Sequence, residues 1–448
     1  MKKNISIIFI KIFFFIILIL FFILNLKNEK KDELKKKNLF PTKKITEEKL
    51  NINPIKKVNK NSIIYKLRKD ENKRIPKYIL LMDYYQNPYC NDINAYYIFK
   101  RYQEKKNENA YYVINKKSKL FQNLVDKNET ENLIPVNSND DIFEKLYNYI
   151  LNSKIIINSY VMGHFQKLVS HVSFLKYLYL THAIGYFKKK IIAKELIYVK
   201  PNKRNIIVSS PFEYNYYKQQ LNYSVNYMHK AGLPRYDRFQ FVTKNISEKK
   251  CILITFTYRK YSNKIYNQSL FKKNLEKLLR NQNLLEFLGQ KKIDLIYIPH
   301  HFDIFRNRSI NPQDFPDIKY MKQEFLSHYI EQCSLFITDF SSISFDFMFL
   351  NKPSLFYLID VKDEIEFEER NYMKYDPNNN IYFGNVFSSQ NSLIDRIKYY
   401  ANNDFNISDD LKQKYESFFY YKNNITEKIL DIINYLKKKI LLMKKLMR

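Results

Sequence analysis

The sequence predicts an α/β protein with two parallel-sheet domains facing each other, preceded by an N-terminal membrane anchor. Three observations carry this. Short aliphatic runs alternate with longer amphipathic stretches from Lys77 onward; the same alternation restarts near Lys249; and Ile5 to Leu24 is apolar except for Ser6 and Lys11. Buried parallel strands read as continuous apolar runs, and alternation with helices implies crossover connections.

Taken in order, the apolar N-terminal segment is about as long as a bilayer requires and no small-residue cleavage site follows it, so an uncleaved anchor over 1–26 is expected. Lys2 and Lys3 precede it, whereas Lys27, Lys30, Lys31, Lys35, Lys36 and Lys37 follow. The side richer in Lys stays in the cytoplasm, which places the body there, against an anionic membrane surface. Residues 27–76 are Lys- and Asn-rich with little apolar periodicity and read as a basic tether.

Strands are expected at YILLM from 78, YYVI from 111, IIIN from 155, YLYLTH from 177 and NIIVSS from 205, with a helix over 140–151. Together they form a Rossmann-like domain over 77–240. A second, over 241–405, contains CILITF, a helix from Leu275 to Leu288, DLIYIP, a helix from Met321 to Cys333, LFIT and SLFYLI. The seam falls at 236–248. The basic tail, 406–448, is helical in pattern; it either packs back across the seam or lies on a membrane surface.

Composition narrows the function classes. The 448 residues are 45% apolar and 17% aromatic, which excludes an extended disordered chain. The net charge of +31 permits an anionic partner, but the excess Lys travels with Asn, Ile, Tyr and Phe and is dispersed, so nucleic acid is not expected. Cys90, Cys251 and Cys333 are scattered without a C-x-x-C pair, which fits a reducing compartment with no disulfide framework and no zinc site.

In open parallel sheets, ligands bind beyond the carboxyl ends of the strands. His182 follows YLYLT, Arg259 follows CILITFTY, His300 and His301 follow DLIYIP, and Asp339, Ser341 and Ser342 follow LFIT. If Ile343 to Leu350 is a helix, the turn before it offers backbone N–H groups and two hydroxyls to a phosphate. The alternative is that Ser341 or Ser342 caps the helix and Asp339 closes a local turn. Asp346, inside an apolar helix, requires a partner.

The stretch LFITDFSSISFDFMFLNKPSLFYLID resembles the ITDYSS, FD, K/R-P and FY-ending segment of the CDP-glycerol glycerophosphotransferase family, which builds teichoic acids and related capsule polymers. AGLPRYD at 231–237 is similar to that family's G-x-P-R-x-D element and Thr257 to Arg259 to its T-W-R, with Tyr258 for Trp. LTHAIGYFKKK is similar to its H-G-T-P-L-K, with Ala183 for Gly and the Lys cluster displaced to Lys188 to Lys190. The resemblance covers roughly residues 150–400. It implies the two-domain glycosyltransferase-B architecture and transfer of glycerol phosphate from a CDP-activated donor, CDP-glycerol or CDP-ribitol, to a polymer or lipid-linked acceptor.

His182 would be the general base. His300 or His301 would stabilise the leaving phosphate, with Arg259 and the loop Thr338, Asp339, Ser341, Ser342 holding the diphosphate. Arg235, Asp237 and Asp346 would support the loop from behind. No cofactor and no metal are expected. Two other readings stay open: a nucleotide-sugar glycosyltransferase of the same fold, and a non-enzymatic, membrane-tethered binding protein for anionic polymer.

Overall fold

A computed structural model describes residues 60–86, 94–106, 109–138, 140, 142–160, 172, 174–184, 204–244, 250–259, 263–308, 310–360 and 385–446. The anchor at 1–26 and the Lys188 to Lys190 cluster lie outside these. Among the described residues no helix is long and apolar enough to cross a membrane.

The first domain comprises α1 (Lys60–Lys69), β1 (Tyr78–Met82), α2 (Ala95–Lys105), β2 (Ala110–Asn115), α3 (Lys119–Asp126), β3 (Leu133–Val136), α4 (Ile142–Leu151), β4 (Ser153–Asn158), β5 (Tyr177–Tyr179), β6 (Asn205–Val208), α5 (Pro211–Gln220) and β7 (Met228–Lys230). Its strands form a parallel sheet in the order β3-β2-β1-β4-β5-β6-β7. The second domain comprises β8 (Cys251–Ile254), α6 (Asn263–Asn267), α7 (Leu270–Leu279), α8 (Gln282–Gln290), β9 (Asp294–Tyr297), α9 (His301–Phe305), β10 (Lys319–Tyr320), α10 (Leu326–Gln332), β11 (Leu335–Thr338), α11 (Ser344–Phe349), β12 (Ser354–Tyr357), β13 (Val386–Phe387) and α12 (Gln390–Asn402). Its parallel order is β10-β9-β8-β11-β12-β13. Each sheet reverses its strand order once, between β1 and β4 and between β8 and β11. Those two points are where a doubly wound sheet opens a crevice.

The chain ends in α13 (Asp409–Phe418) and α14 (Ile425–Leu446). Of the two positions expected for the tail, the structure takes the first. Ile425, Ile429 and Ile433 are fully buried in the core that joins the domains, and Glu427 forms ion pairs with Arg101 and Lys105 of α2. Asp237 accepts from Ile425 N at 2.9 Å and Thr426 N at 2.6 Å, so a side chain in the seam caps the returning helix. The seam itself, Pro234 to Lys244, is a 3₁₀ run, and Tyr236 stacks on Phe349 of the second domain at 4.3 Å.

Four expectations change. Part of the supposed tether is α1, because Ile63, Ile64 and Leu67 present one apolar face and Leu67 is fully buried. The helix expected over Leu275 to Leu288 is two, broken where Asn281 caps α8 through Leu284 N at 3.0 Å. The helix expected from Met321 to Cys333 is a 3₁₀ turn, Gln323–Phe325, followed by α10. Finally, Cys251 and Cys333 are disulfide-bonded, with Cα atoms 4.6 Å apart. Parallel pairing of Leu335 with Ile252 sets them side by side, although they lie 82 residues apart in sequence.

Candidate functional site

The reversal point of the second sheet gathers the motifs that follow β8 and β11. Asp339 is fully buried and acts as a hub. Its Oδ1 accepts from Thr257 N at 2.9 Å, Thr257 Oγ1 at 2.8 Å and its neighbour Phe340 N at 2.6 Å, while Oδ2 pairs with Arg259 Nη1 at 2.6 Å. Arg259 also grips Asp360, just beyond β12, through Nε at 2.8 Å and Nη2 at 2.7 Å, and donates to Thr257 O at 2.7 Å. Arg259 and Asp339, expected to face the donor, therefore turn inward. Two carboxylates balance a guanidinium buried to 4% exposure, and the triad locks the two loops together.

The turn beyond Asp339 is likewise held by internal hydrogen bonds. α11 has six residues, Ser344–Phe349, and the N–H groups expected to meet a phosphate close the turn instead. Ile343 N donates to Ser341 Oγ at 3.3 Å, Ser344 N to Ser341 O at 3.2 Å and Phe345 N to Ser342 O at 3.1 Å. Thr338 is fully buried as the last residue of β11, and its hydroxyl is enclosed without a hydrogen-bond partner among the described residues. The half-buried Ser341 and Ser342 remain at the crevice.

After β9, which pairs with β8 on the side away from β11, His300 accepts from Phe302 N through Nδ1 at 3.2 Å, capping α9. Its ring stacks on His301 at 4.3 Å and lies 5.7 Å from Tyr258. Burial pushes His301 down to about 4, so its imidazole is neutral near pH 7, and its Nε2 is enclosed without a hydrogen-bond partner among the described residues. Asp303, which sequence reasoning missed, is pushed up to about 7 by burial, opposed by Arg308, Arg259 and Arg306.

In the first domain, His182 follows β5 with its ring 4.8 Å from Tyr160, which follows β4 and stacks on Tyr84, beyond β1, at 4.3 Å. Asp83, at the β1 end of the reversal point, accepts from Asn94 N at 3.2 Å, Ala95 N at 3.1 Å and Tyr112 OH at 2.9 Å, holding the start of α2; burial raises its pKa. Neither Asp83 nor Asn94 was singled out, although Asp83 directly follows an aliphatic run, the signal used for the others.

Arg235 joins the two halves. Its Nη1 donates to His182 O at 2.7 Å and its Nη2 to Asp346 Oδ1 at 2.7 Å. Asp346, whose partner the sequence demanded, thus finds it 111 residues away. Burial disfavours the Arg235 charge, but the Asp346 carboxylate together with Tyr236 and Tyr97 offsets it and the pKa rises. The loop carrying His182 and the helix following Ser341 and Ser342 are fixed to a single guanidinium.

Two parallel sheets whose polar strand ends meet across a seam define a two-domain protein of the glycosyltransferase-B type. The structure of the wall teichoic acid polymerase TagF matches with a TM-score of 0.60 at 15% identity, covering 86% of this chain and 95% of that one. UDP-GlcNAc 2-epimerase from Neisseria meningitidis matches with a TM-score of 0.50 at 11% identity, covering 80% of this chain and 100% of that one. At these identities the likeness is one of fold.

The chain belongs to the CDP-glycerol:poly(glycerophosphate) glycerophosphotransferase family, whose model matches residues 62–435. Two Bacillus subtilis (strain 168) proteins are similar to it. The minor teichoic acid biosynthesis protein GgaB is 26% identical over 268 residues, 52% of this chain and 26% of that protein. The teichoic acid glycerol-phosphate primase is 28% identical over 156 residues, 33% of this chain and 38% of that protein. The chain therefore spans about a quarter and under two-fifths of these relatives' lengths.

Proposed function

We propose that the protein transfers glycerol phosphate, or a related polyol phosphate, from a CDP-activated donor to a hydroxyl of a teichoic-acid-like polymer or lipid-linked acceptor, releasing CMP. The observation that carries this reading is the convergence on Arg235 of the His182 loop and the helix behind Ser341 and Ser342. The family match, and the two relatives named for teichoic acid synthesis, supply the substrate class.

The acceptor oxygen attacks the β-phosphorus and forms a new phosphodiester bond. The bond from that phosphorus to the oxygen bridging the two phosphates breaks, and CMP carries the bridging oxygen away. His182 takes the acceptor proton, a role in which a positioned imidazole contributes about 10²–10⁴ in rate. His300 or His301, with the hydroxyls of Ser341 and Ser342, contacts the diphosphate. Arg259 and Asp339 serve by holding those loops in place.

The test is nucleotide release by membranes containing the protein, read as CMP when CDP-glycerol or CDP-ribitol is added and as UDP when a UDP-sugar is added. Release from a CDP-polyol that needs His182 supports the reading, whereas turnover of a UDP-sugar alone replaces it with a sugar transferase. The Lys distribution around Ile5 to Leu24 supports an N-terminal anchor with a cytoplasmic body. Digestion of the body by protease added outside closed, right-side-out vesicles would overturn that placement.

A further inference from the structure

We infer that Asn94 and Arg235 are positioning residues that hold His182 by its backbone and make its placement depend on the donor half of the site. The inference rests on the reading of His182 as proton acceptor.

Thr181, immediately before His182, has φ 60°, a conformation that costs a β-branched residue and persists only where the surroundings enforce it. Two side chains enforce it by gripping successive carbonyls. Asn94 Nδ2 donates to Thr181 O at 2.7 Å, and Arg235 Nη1 donates to His182 O at 2.7 Å. Asn94 is itself fixed, donating from its backbone to Asp83 Oδ1 at 3.2 Å and accepting from Arg235 N through Oδ1 at 3.4 Å. Both gripping residues are buried.

The second arm of Arg235 reaches Asp346 in the other domain. Asp346 lies on α11, directly after the turn with Ser341 and Ser342, and the residue is 3% exposed. A displacement of this helix when a donor occupies the turn is passed by a rigid planar fork to the carbonyl of His182. A lysine has one ammonium on a flexible stem and cannot hold both acceptors in fixed geometry.

The test uses the full chain with isotope-labelled histidine, the His182 ring signal being assigned by its loss in His182→Asn. In the wild type, adding CDP-glycerol shifts this signal. In Arg235→Lys the resting signal moves and the donor-induced shift disappears. The kcat for CMP release falls by about tenfold to a hundredfold while the KM for CDP-glycerol stays within about twofold. Asn94→Ser gives the same resting displacement and serves if Arg235→Lys does not fold. A His182 signal unmoved in the folded variant, whatever its activity, overturns the inference. Full activity of His182→Asn sinks the reading of His182 as base and leaves the ring displacement to decide the positioning role separately.

Discussion

Replacing Asp339 with alanine should damage the fold before it damages donor affinity. The substitution removes the acceptor of Thr257 N, Thr257 Oγ1 and Phe340 N and one of the two carboxylates facing Arg259. Each stranded, buried N–H costs about 1–3 kcal/mol, and depriving a buried cation of its only partner costs about 3–5 kcal/mol. Asp360 still holds Arg259 through two hydrogen bonds of 2.8 and 2.7 Å, so the charge penalty is partial, and the two stranded N–H groups by themselves set a cost of about 2–6 kcal/mol. Ser341→Ala, by contrast, removes an acceptor used at 3.3 Å on a half-buried turn and should cost under about 1 kcal/mol. Urea unfolding followed by tyrosine fluorescence or far-UV circular dichroism suits a chain with 39 Tyr and no Trp. If Asp339→Ala unfolds at the same urea concentration as Ser341→Ala and yet no longer binds donor, Asp339 contacts the donor directly, and its inward role is wrong.

Three further outcomes are expected. Asp303 titrates at about 7 in the fold against 3.8 ordinarily, so its contribution to stability is present below pH 4 and lost as pH rises through 7. Asp303→Asn should therefore gain up to about 4 kcal/mol relative to wild type between pH 4 and 7, and unfolding curves whose difference is flat with pH would contradict this. His301, lowered to about 4, acts in the opposite sense: its contribution is full above pH 6.5 and lost as pH falls toward 4, so His301→Phe should flatten the acid side of the stability curve. Asp237→Ala should cost about 1–2 kcal/mol and raise amide exchange at Ile425 and Thr426 first; unchanged exchange there would remove Asp237 as the cap of α14.

The central strands were legible because parallel strands buried on both faces leave uninterrupted apolar runs such as YILLM and LFIT. The strands missed are short or lie at sheet margins. LIPV carries Pro135, which only an edge strand tolerates, while MHK, KY and VF are too brief to show a pattern. At the site, position after a strand revealed which residues gather, because topology puts all those ends on one side. It did not reveal which way they face. Arg259 turns inward because Asp360 waits beyond β12, 101 residues later, and no spacing rule announces that pair. The Asp346 partner was demanded by burial, but only the fold selects Arg235. Cys251 and Cys333 were missed for the same reason.

The most direct measurement is CMP release from CDP-glycerol by membranes containing the wild-type protein and, in parallel, its His182→Ala form, with CDP-ribitol as the second donor. The account predicts release from one of these donors by the wild type, and its loss in His182→Ala with donor affinity kept. Release undiminished in His182→Ala, or none from either donor with acceptor membranes present, would contradict it.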